Sequence, residues 1–189
     1  LAARMATLMR SVGENEISYD MLAWHVDPRR SESGFSPHRD RQPDDARATF
    51  REDGMAKYTT CWMALSDATP ENSCLYMIPK KCDPGYVDGD KDDVDPMAAA
   101  LPTKEAYQHI RALPMKAGDA LLFTHRIIHW GSSGHGRRRG AEESIGPRVS
   151  LSVGFSDPSY EKPYLKAAPN LLEKKFPSFE ERLALISAQ

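Results

Sequence analysis

The stretch Ser36-Pro37-His38-Arg39-Asp40 sets a histidine and a carboxylate two positions apart, after a proline and among charged residues. On an extended backbone, side chains at positions i and i+2 point to the same side. His38 and Asp40 are therefore candidates for two of the three protein ligands of a mononuclear iron centre. Two histidines and one carboxylate on one face of Fe(II) leave its other face open for a co-substrate and oxygen. The third ligand would be a distant histidine that the fold brings close.

Period-two alternation and β-branched or aromatic residues predict several short strands separated by turns. The predicted strands cover residues 17–26, 57–65, 74–78, 120–123, 127–130 and 149–155. Many short strands with little helix between them indicate an antiparallel β sandwich or barrel. A jelly roll suits a metal site whose ligands lie far apart in sequence. We therefore expect a mainly β fold with a few flanking helices, among them residues 1–13 and 179–186.

The length of the chain predicts a single domain. Its 189 residues suffice for one domain with a substantial core, and no internal repeat marks a second one. We therefore expect one domain over residues 1–189. The chain begins Leu1-Ala2-Ala3 rather than with methionine, so a fragment that lacks N-terminal elements of a longer protein is also considered.

Composition argues against some classes of function. Lys+Arg of 25 against Asp+Glu of 27 gives a net charge of −2 and a pI near 6.3, which disfavours nucleic-acid binding through phosphate contacts. No apolar run has the length of a membrane span. The three cysteines show no CxxC spacing, which favours reduced thiols in an intracellular protein. The cytoplasm is the expected compartment; an organelle and the oligomeric state are left open.

Charged segments between the strands predict surface loops. Residues 41–55 and 80–103 are rich in charge, glycine and proline, and the second segment carries an acidic cluster that is expected to be solvated. Its spacing does not fit an EF-hand calcium loop. A group of arginines near the His-x-Asp motif could meet an anionic substrate, although a solvated basic loop explains them equally well: Arg29, Arg30, Arg39 and Arg41.

The third ligand must come from elsewhere in the chain. His129 is our candidate, because it follows the turn at Gly118-Asp119 and an apolar strand, and because Gly131 permits a close approach of the backbone. His125 is the rival: on one strand, positions 125 and 129 would share a face, so periodicity does not decide between them. His135 lies in a polar loop rich in glycine and arginine and is expected to be exposed.

Two further observations weigh on the iron hypothesis. A second His-x-Asp pair, His25-Val26-Asp27, directly follows an apolar strand, and His25 is most simply a residue of that strand. Arg148 and Ser150 would point the same way on the last strand, where a guanidinium and a hydroxyl can grip a terminal carboxylate. Without the metal motif, Arg148 would be read as a surface residue at a strand start.

The order of these motifs resembles that of the Fe(II)/2-oxoglutarate-dependent oxygenases. Residues 62–79 are similar to the phytanoyl-CoA dioxygenase family in their tryptophan strand, acidic turn and strand-ending Pro79. Ser73 stands where that family usually has glycine, and Lys80-Lys81 where it usually has Gly-Ser. Gly118, eleven residues before His129, also matches the family pattern and favours His129 over His125. The resemblance covers about residues 20–157.

The resemblance implies a double-stranded β-helix, with iron held by three residues and 2-oxoglutarate by one. The implied iron ligands are His38, Asp40 and His129, and Arg148 would bind the C5 carboxylate of 2-oxoglutarate. The gap before Arg148 is longer than is usual in the family, so residues 137–139, all arginines, remain alternatives. The resemblance leaves the substrate open, because a fold and its cofactor chemistry do not fix it.

Three hypotheses follow for the function. The first is an Fe(II)/2-oxoglutarate-dependent dioxygenase that uses O2 to oxidise a C–H bond of a small organic substrate, with release of succinate and CO2. The second is a jelly-roll binding protein that has kept the fold and lost turnover. The third is a zinc-dependent hydrolase that uses the same ligands to activate water.

Overall fold

A computed structural model describes residues 2–134, 145–161, 178–180 and 183. The expected closing helix at 179–186 falls largely outside the described residues, although positions 179, 180 and 183 are helical. His135 and the three alternative arginines at 137–139 also lie outside them. The expectation of one domain over residues 1–189 therefore stays a prediction.

The described residues form seven β-strands and three α-helices, joined by turns and short 3₁₀ segments. The strands are β1 (Glu16–Val26), β2 (Tyr58–Ala64), β3 (Leu75–Met77), β4 (Arg111–Leu113), β5 (Ala120–Thr124), β6 (His129–Gly131) and β7 (Arg148–Ser156). The helices are α1 (Ala2–Val12), α2 (Gly85–Asp88) and α3 (Pro96–Ala100). The first helix and most strands lie where the sequence predicts them, whereas β4, α2 and α3 were not expected.

The strands form two sheets, and every pair in them is antiparallel. The larger sheet has the order β1-β7-β2-β5, and the smaller has the order β4-β3-β6. In the large sheet, Thr60 of β2 lies opposite Phe123 of β5 on one side and Gly154 of β7 on the other. Strand β2 is therefore an interior strand whose backbone is held on both edges. This architecture is the mainly β, two-sheet fold that the sequence predicts.

Strand alternation separates the two faces of the large sheet. Trp62 and Ala64 of β2 point inward and pack with Phe123 and Leu75, so this cluster is the core between the sheets. Their neighbours point outward, where Met9 of α1 covers a second cluster. The outer cluster contains Met9, Cys61, Met63, Val153 and Phe155. Helix α1 thus closes the outer face and leaves the inner face available for a site.

The acidic side chains of residues 80–103 are mostly exposed, as their composition predicts, but the segment also contains two short helices and a buried apolar part. Tyr86, Ala100 and Leu101 are buried, and the last two pack with Ile78 and Ile128. Asp95 caps α3 by accepting a hydrogen bond from the backbone N–H of Met97 at 2.8 Å. The buried part was not predicted because the few apolar residues in this segment are spaced irregularly, yet they meet a common core.

Candidate metal centre

Backbone pairing brings the His-x-Asp segment against the strand that carries the distal histidine. The N–H of His38 donates to the carbonyl of His129 at 3.0 Å, and the N–H of His129 donates to the carbonyl of His38 at 3.0 Å. Gly131 N–H also donates to the Phe35 carbonyl at 3.0 Å. This paired segment continues the small sheet beyond β6. Two parts of the chain separated by 91 positions in sequence, 38 and 129, are thereby fixed side by side.

Glycine makes this approach possible, as the sequence predicts for Gly131. A Cβ on Gly131 would lie 2.8 Å from the Cα of Gly34, and a Cβ on Gly34 would lie 2.6 Å from the Cα of Gly131. Real side chains do not reach such distances from a backbone atom. The two glycines therefore set the spacing between the paired segments.

Three side chains converge at the end of this pairing. Asp40 Oδ1 lies 3.6 Å from His38 Nε2 and 3.4 Å from His129 Nε2. One potential ligand atom from each of the three residues lies within 4.8 Å of those of the others. The three residues named from the sequence are thus together, with the side chain of His129 the most buried at 7% exposed.

Hydrogen bonds fix which nitrogen of each imidazole faces the centre. His38 Nδ1 lies 2.7 Å from the carbonyl of Ser36, and His129 Nδ1 lies 3.0 Å from the carbonyl of Ile127. A carbonyl only accepts, so each Nδ1 carries the proton and donates it. In the neutral ring, this leaves the lone pair on Nε2, which faces Asp40 and is free to bind a metal.

Electrostatics differ among the three groups. A hydrogen bond to Asp40 raises the pKa of His38 against the opposing effect of burial. Burial dominates at His129 and lowers its pKa. Burial opposes ionisation of Asp40, but the nearby histidines and the hydroxyl of Thr60 outweigh it and lower its pKa. The centre therefore favours an ionised Asp40 and a neutral His129, as a divalent metal requires, whereas the raised pKa of His38 means that a bound metal must compete with a proton on that ring.

The competing histidines lie elsewhere. His125 is fully buried, with Nδ1 3.1 Å from the carbonyl of Tyr58 and Nε2 2.8 Å from the hydroxyl of Thr49. Burial lowers its pKa to about 4, so it is a neutral, satisfied core residue. His25 is exposed on β1, with Nδ1 3.8 Å from Glu32. Neither ring contributes to the His38 cluster.

Arg148 is buried beside the same cavity with few partners. Its Nη1 donates to Ser150 Oγ at 2.8 Å, and its Cζ lies 5.5 Å from the centre of the Trp62 ring. Its Nε is buried and has no hydrogen-bond partner among the described residues. Burial lowers the pKa of this guanidinium to about 10. A buried cation with an unused donor is suited to an anion that enters from outside the chain.

One cavity joins the histidine–aspartate cluster to Arg148. Its wall contains His38, Asp40, His129 and Arg148, and its remaining lining is largely aromatic or aliphatic. Phe35 stands at the rim, with its ring 4.3 Å from that of Trp24 and 5.3 Å from that of His38. The arrangement offers a metal position, an anion position and an apolar surface in one space.

The arginines of the His-x-Asp segment do not form the solvated basic loop considered from the sequence. Arg39 is buried and donates to Asp83 at 2.6 and 2.8 Å and to Asp90 at 2.6 and 2.7 Å. Arg41 pairs with Glu161 at 2.8 Å and with Asp20 at 2.9 Å. Both arginines are thus tied within the protein and are not free to bind an anionic substrate. Strand alternation was the available signal, because it turns 39 and 41 away from 38 and 40.

Thr60 contacts the cluster and was not predicted from the sequence. Its hydroxyl donates a short hydrogen bond to Asp40 Oδ2. The alternation that places Trp62 on the inner face of β2 also places Thr60 there, so the inward direction was predictable. Its partner, twenty positions away in the chain, was not.

Two antiparallel sheets with a His/Asp/His cluster and a buried arginine in one cavity define a cupin-like protein with a candidate non-haem metal centre. The chain belongs to the phytanoyl-CoA dioxygenase family, whose model matches residues 3–140. This finding confirms the resemblance seen in the sequence. No curated protein sequence matches the chain.

Solved structures support the fold. AviO1 from Streptomyces viridochromogenes Tue57 matches with a TM-score of 0.57 and 17% identity, over 82% of this chain and 57% of that one. EctD from S. alaskensis with 2-oxoglutarate and 5-hydroxyectoine gives a TM-score of 0.56 and 18% identity, over 86% of this chain and 52% of that one. The epimerase SnoN in complex with Fe3+, alpha ketoglutarate and nogalamycin RO gives a TM-score of 0.52 and 23% identity, over 82% of this chain and 55% of that one.

The chain spans only part of the length of these proteins. It covers 57% of AviO1, 52% of EctD and 55% of SnoN. Among the described residues, no helix combines the length and apolar composition that crossing a bilayer requires.

Proposed function

We propose that this chain carries the catalytic centre of an Fe(II)/2-oxoglutarate-dependent dioxygenase that oxidises a C–H bond of a small organic substrate. His38, Asp40 and His129 would be the iron ligands, and Arg148 with Ser150 would hold 2-oxoglutarate. O2 would be the second co-substrate, and succinate and CO2 would be released. Membership of the phytanoyl-CoA dioxygenase family supports this proposal.

The observation that carries the proposal is the convergence of two imidazole Nε2 atoms and one carboxylate oxygen. Asp40 Oδ1 lies 3.6 Å from His38 Nε2 and 3.4 Å from His129 Nε2, and each Nδ1 donates to a backbone carbonyl. Two histidines and one carboxylate on one face are typical of non-haem Fe(II) oxygenases. A tetrahedral zinc site with the same three ligands uses the same donor types, so metal dependence must separate the two.

The residues present also fit 2-oxoglutarate. Arg148 has a buried, unpartnered Nε and lies in the same cavity as the three candidate ligands. A carboxylate placed there would accept from the guanidinium and from Ser150, which already lies 2.8 Å from Arg148 Nη1. The buried cation would thereby gain the counter-charge that the described residues do not provide. Structures of EctD and SnoN contain 2-oxoglutarate or alpha ketoglutarate, which agrees with this assignment.

In this proposal, the protein binds, orients and excludes water. When bound, ferrous iron and 2-oxoglutarate supply the oxidising chemistry through activation of O2. His38, Asp40 and His129 would hold the metal and would leave its remaining positions to exogenous ligands. The apolar walls, including Phe123 and Trp130, keep the cavity poor in water. Its aromatic rim at Phe35 and Trp24 would face the substrate.

Replacing a candidate ligand tests the metal assignment. We expect His38→Ala or His129→Ala to abolish tight Fe(II) binding, because only two of the three protein ligands remain. Metal content after anaerobic loading, and 2-oxoglutarate-dependent succinate release, measure the effect. His25→Ala is the matched control, since this exposed histidine belongs to the other His-x-Asp pair.

The outcomes of this experiment separate the three hypotheses. Unchanged metal content in either ligand variant would refute the assignment. Metal binding without succinate release, tested with a range of candidate substrates, would favour a non-catalytic jelly roll. Hydrolytic activity with Zn(II) and without 2-oxoglutarate would favour the hydrolase.

Replacing the arginine tests the co-substrate assignment. We expect Arg148→Gln to weaken 2-oxoglutarate binding by about tenfold to a hundredfold, because a charge-assisted bidentate hydrogen bond is lost. Fe(II) affinity should stay close to that of the parent protein. Anaerobic isothermal titration of the metal-loaded protein with 2-oxoglutarate measures the first affinity, and anaerobic titration of the apo protein with Fe(II) measures the second. Normal 2-oxoglutarate affinity in the variant would redirect the assignment to the arginines at 137–139.

The remaining assignments are also proposals. We propose that the chain forms a single oxygenase domain and that it acts inside the cell. Three free thiols, Cys61, Cys74 and Cys82, support a reducing compartment.

A further inference from the structure

Asp40 presents its two carboxylate oxygens to different partners. Oδ1 faces both candidate imidazole ligands, at 3.6 Å from His38 Nε2 and 3.4 Å from His129 Nε2. Oδ2 accepts a short hydrogen bond from the hydroxyl of Thr60. The carboxylate is therefore divided into one oxygen that points to the centre and one that points to the wall.

Thr60 is rigidly placed for this contact. It lies on β2 between two paired strands, opposite Phe123 of β5 and Gly154 of β7. Thr60 as a whole residue is 7% exposed, and the Asp40 side chain is 18% exposed. A hydrogen bond to an ionised group is strong where water is scarce. The sheet thus holds the hydroxyl in place before any metal arrives.

The orientation of an aspartate ligand matters because a carboxylate can bind a metal through one oxygen or two. The terminal torsion of aspartate is broad and roughly two-fold, so it does not choose an orientation by itself. A donor on Oδ2 directs the metal to Oδ1 and disfavours two-oxygen binding. One-oxygen binding keeps a coordination position open, and the proposed chemistry needs open positions for 2-oxoglutarate and O2.

We propose that Thr60 is a positioning residue that holds Asp40 as a one-oxygen metal ligand. The inference rests on the proposed metal site and goes beyond it, because it assigns a role to a residue that is not a metal ligand and that acts through Asp40. The role is mechanical: the hydroxyl occupies Oδ2 and thereby aims Oδ1 at the two imidazoles. Replacing a residue that hydrogen-bonds to a metal ligand commonly lowers metal affinity by about tenfold to a hundredfold.

The test uses Thr60→Val, which keeps the shape of the side chain and removes the donor, and Thr60→Ser, which keeps the donor. Each purified chain is titrated anaerobically with Co(II) alone and with Mn(II) alone, before any 2-oxoglutarate is added. We expect the valine variant to bind both ions about tenfold to a hundredfold more weakly. The serine variant should bind close to the parent value. The visible spectrum of bound Co(II), which reports coordination geometry, should change in the valine variant and be restored in the serine variant.

Thr59→Val is the matched control. Thr59 is the preceding residue on the same strand and faces the other way, where its hydroxyl accepts from Asn15 Nδ2 at 3.1 Å. We expect its Co(II) affinity and spectrum to equal those of the parent. Thermal melting of the apo proteins checks that each variant is folded, and Thr60→Ala replaces the valine variant if that one does not fold.

The outcomes separate this inference from the proposed function. If the parent binds Co(II) and the valine and alanine variants bind it equally well with the same spectrum, Thr60 has no positioning role, while the metal site stands. If these variants lose only 2-oxoglutarate affinity, Thr60 acts on the co-substrate and the inference is wrong. If the parent itself binds no divalent metal, the proposed function fails first.

Discussion

Ser73 has a backbone conformation that favours glycine. Its φ of 72° and ψ of 51° lie in the left-handed region, directly after the short Pro70–Asn72 turn. A side chain there costs about 1–2 kcal/mol relative to a right-handed conformation. Its Oγ is also buried without a hydrogen-bond partner among the described residues. The serine that departs from the family pattern is therefore strained as well as unsatisfied.

We expect Ser73→Gly to stabilise the protein by about 1 kcal/mol. The change removes the backbone strain and the unsatisfied buried hydroxyl. Together these gains exceed the roughly 0.5–1 kcal/mol of conformational entropy that glycine costs on folding. Urea unfolding of the apo protein measures the change. Ser73→Ala is the control, since it removes the hydroxyl but keeps the strained Cβ, and it should gain less. An alanine variant that is more stable than the glycine variant would contradict this account.

Arg39 connects three elements at the back of the site. It lies between His38 and Asp40, pairs with Asp83 and Asp90, and donates to the carbonyl of Arg126. Arg126 is itself buried and belongs to the segment that leads to β6 and its histidine. The ion-pair cluster therefore links the His-x-Asp segment, the α2 region and the second ligand strand.

We expect Arg39→Gln to destabilise the protein by about 3–5 kcal/mol, because it leaves two acidic side chains near the interior without their main counter-charge. Equilibrium urea unfolding measures the loss. Arg47→Gln is the matched control: its pair with Asp88 is 71% and 61% exposed, so its loss should stay below about 1 kcal/mol. Equal losses of unfolding free energy in the two variants would show that the ion pairs of Arg39 contribute no more stability than an exposed pair.

At the scale of the whole molecule, local patterns predicted most strands, and the family resemblance predicted the cluster at the centre, but the distant partners of the charged residues were not predicted. The alternation of apolar and small residues predicted β7 at 149–155, and the strand runs over Arg148–Ser156. Asp83 is buried and Asp90 is partly buried, and both pair with Arg39, which lies 44 and 51 positions away. Composition alone assigned that acidic segment to solvent, because no local pattern records such a distant partner.

The choice between His125 and His129 also depended on structure that periodicity does not show. The chain turns between β5 and β6, with the N–H of Ile127 donating to the carbonyl of Thr124 at 3.2 Å. His125 and His129 therefore do not share a face, although on one uninterrupted strand they would. Periodicity left the choice open, and the spacing from Gly118 supported His129, whose ring does lie beside His38 and Asp40.

Metal binding should stabilise the whole molecule, because the three candidate ligands come together only in the folded chain. At a Mn(II) concentration about a hundred times the dissociation constant, linkage adds about 2.7 kcal/mol to the free energy of unfolding. For a chain of this size, that corresponds to a rise of about 5–10 °C in Tm. Differential scanning calorimetry with and without Mn(II) measures it.

Asp40→Asn should abolish this Mn(II)-dependent rise, because it removes the one negative charge that the cluster offers to the ion. Asp27→Asn makes the same change in the other His-x-Asp pair, where Asp27 accepts from Arg29 at 2.7 and 2.8 Å. That control should melt at a lower temperature without metal, since an ion pair is lost, yet show the full rise when Mn(II) is added. A rise that survives in Asp40→Asn would place the ion elsewhere in the molecule, because the linkage would then not pass through the cluster of His38, Asp40 and His129.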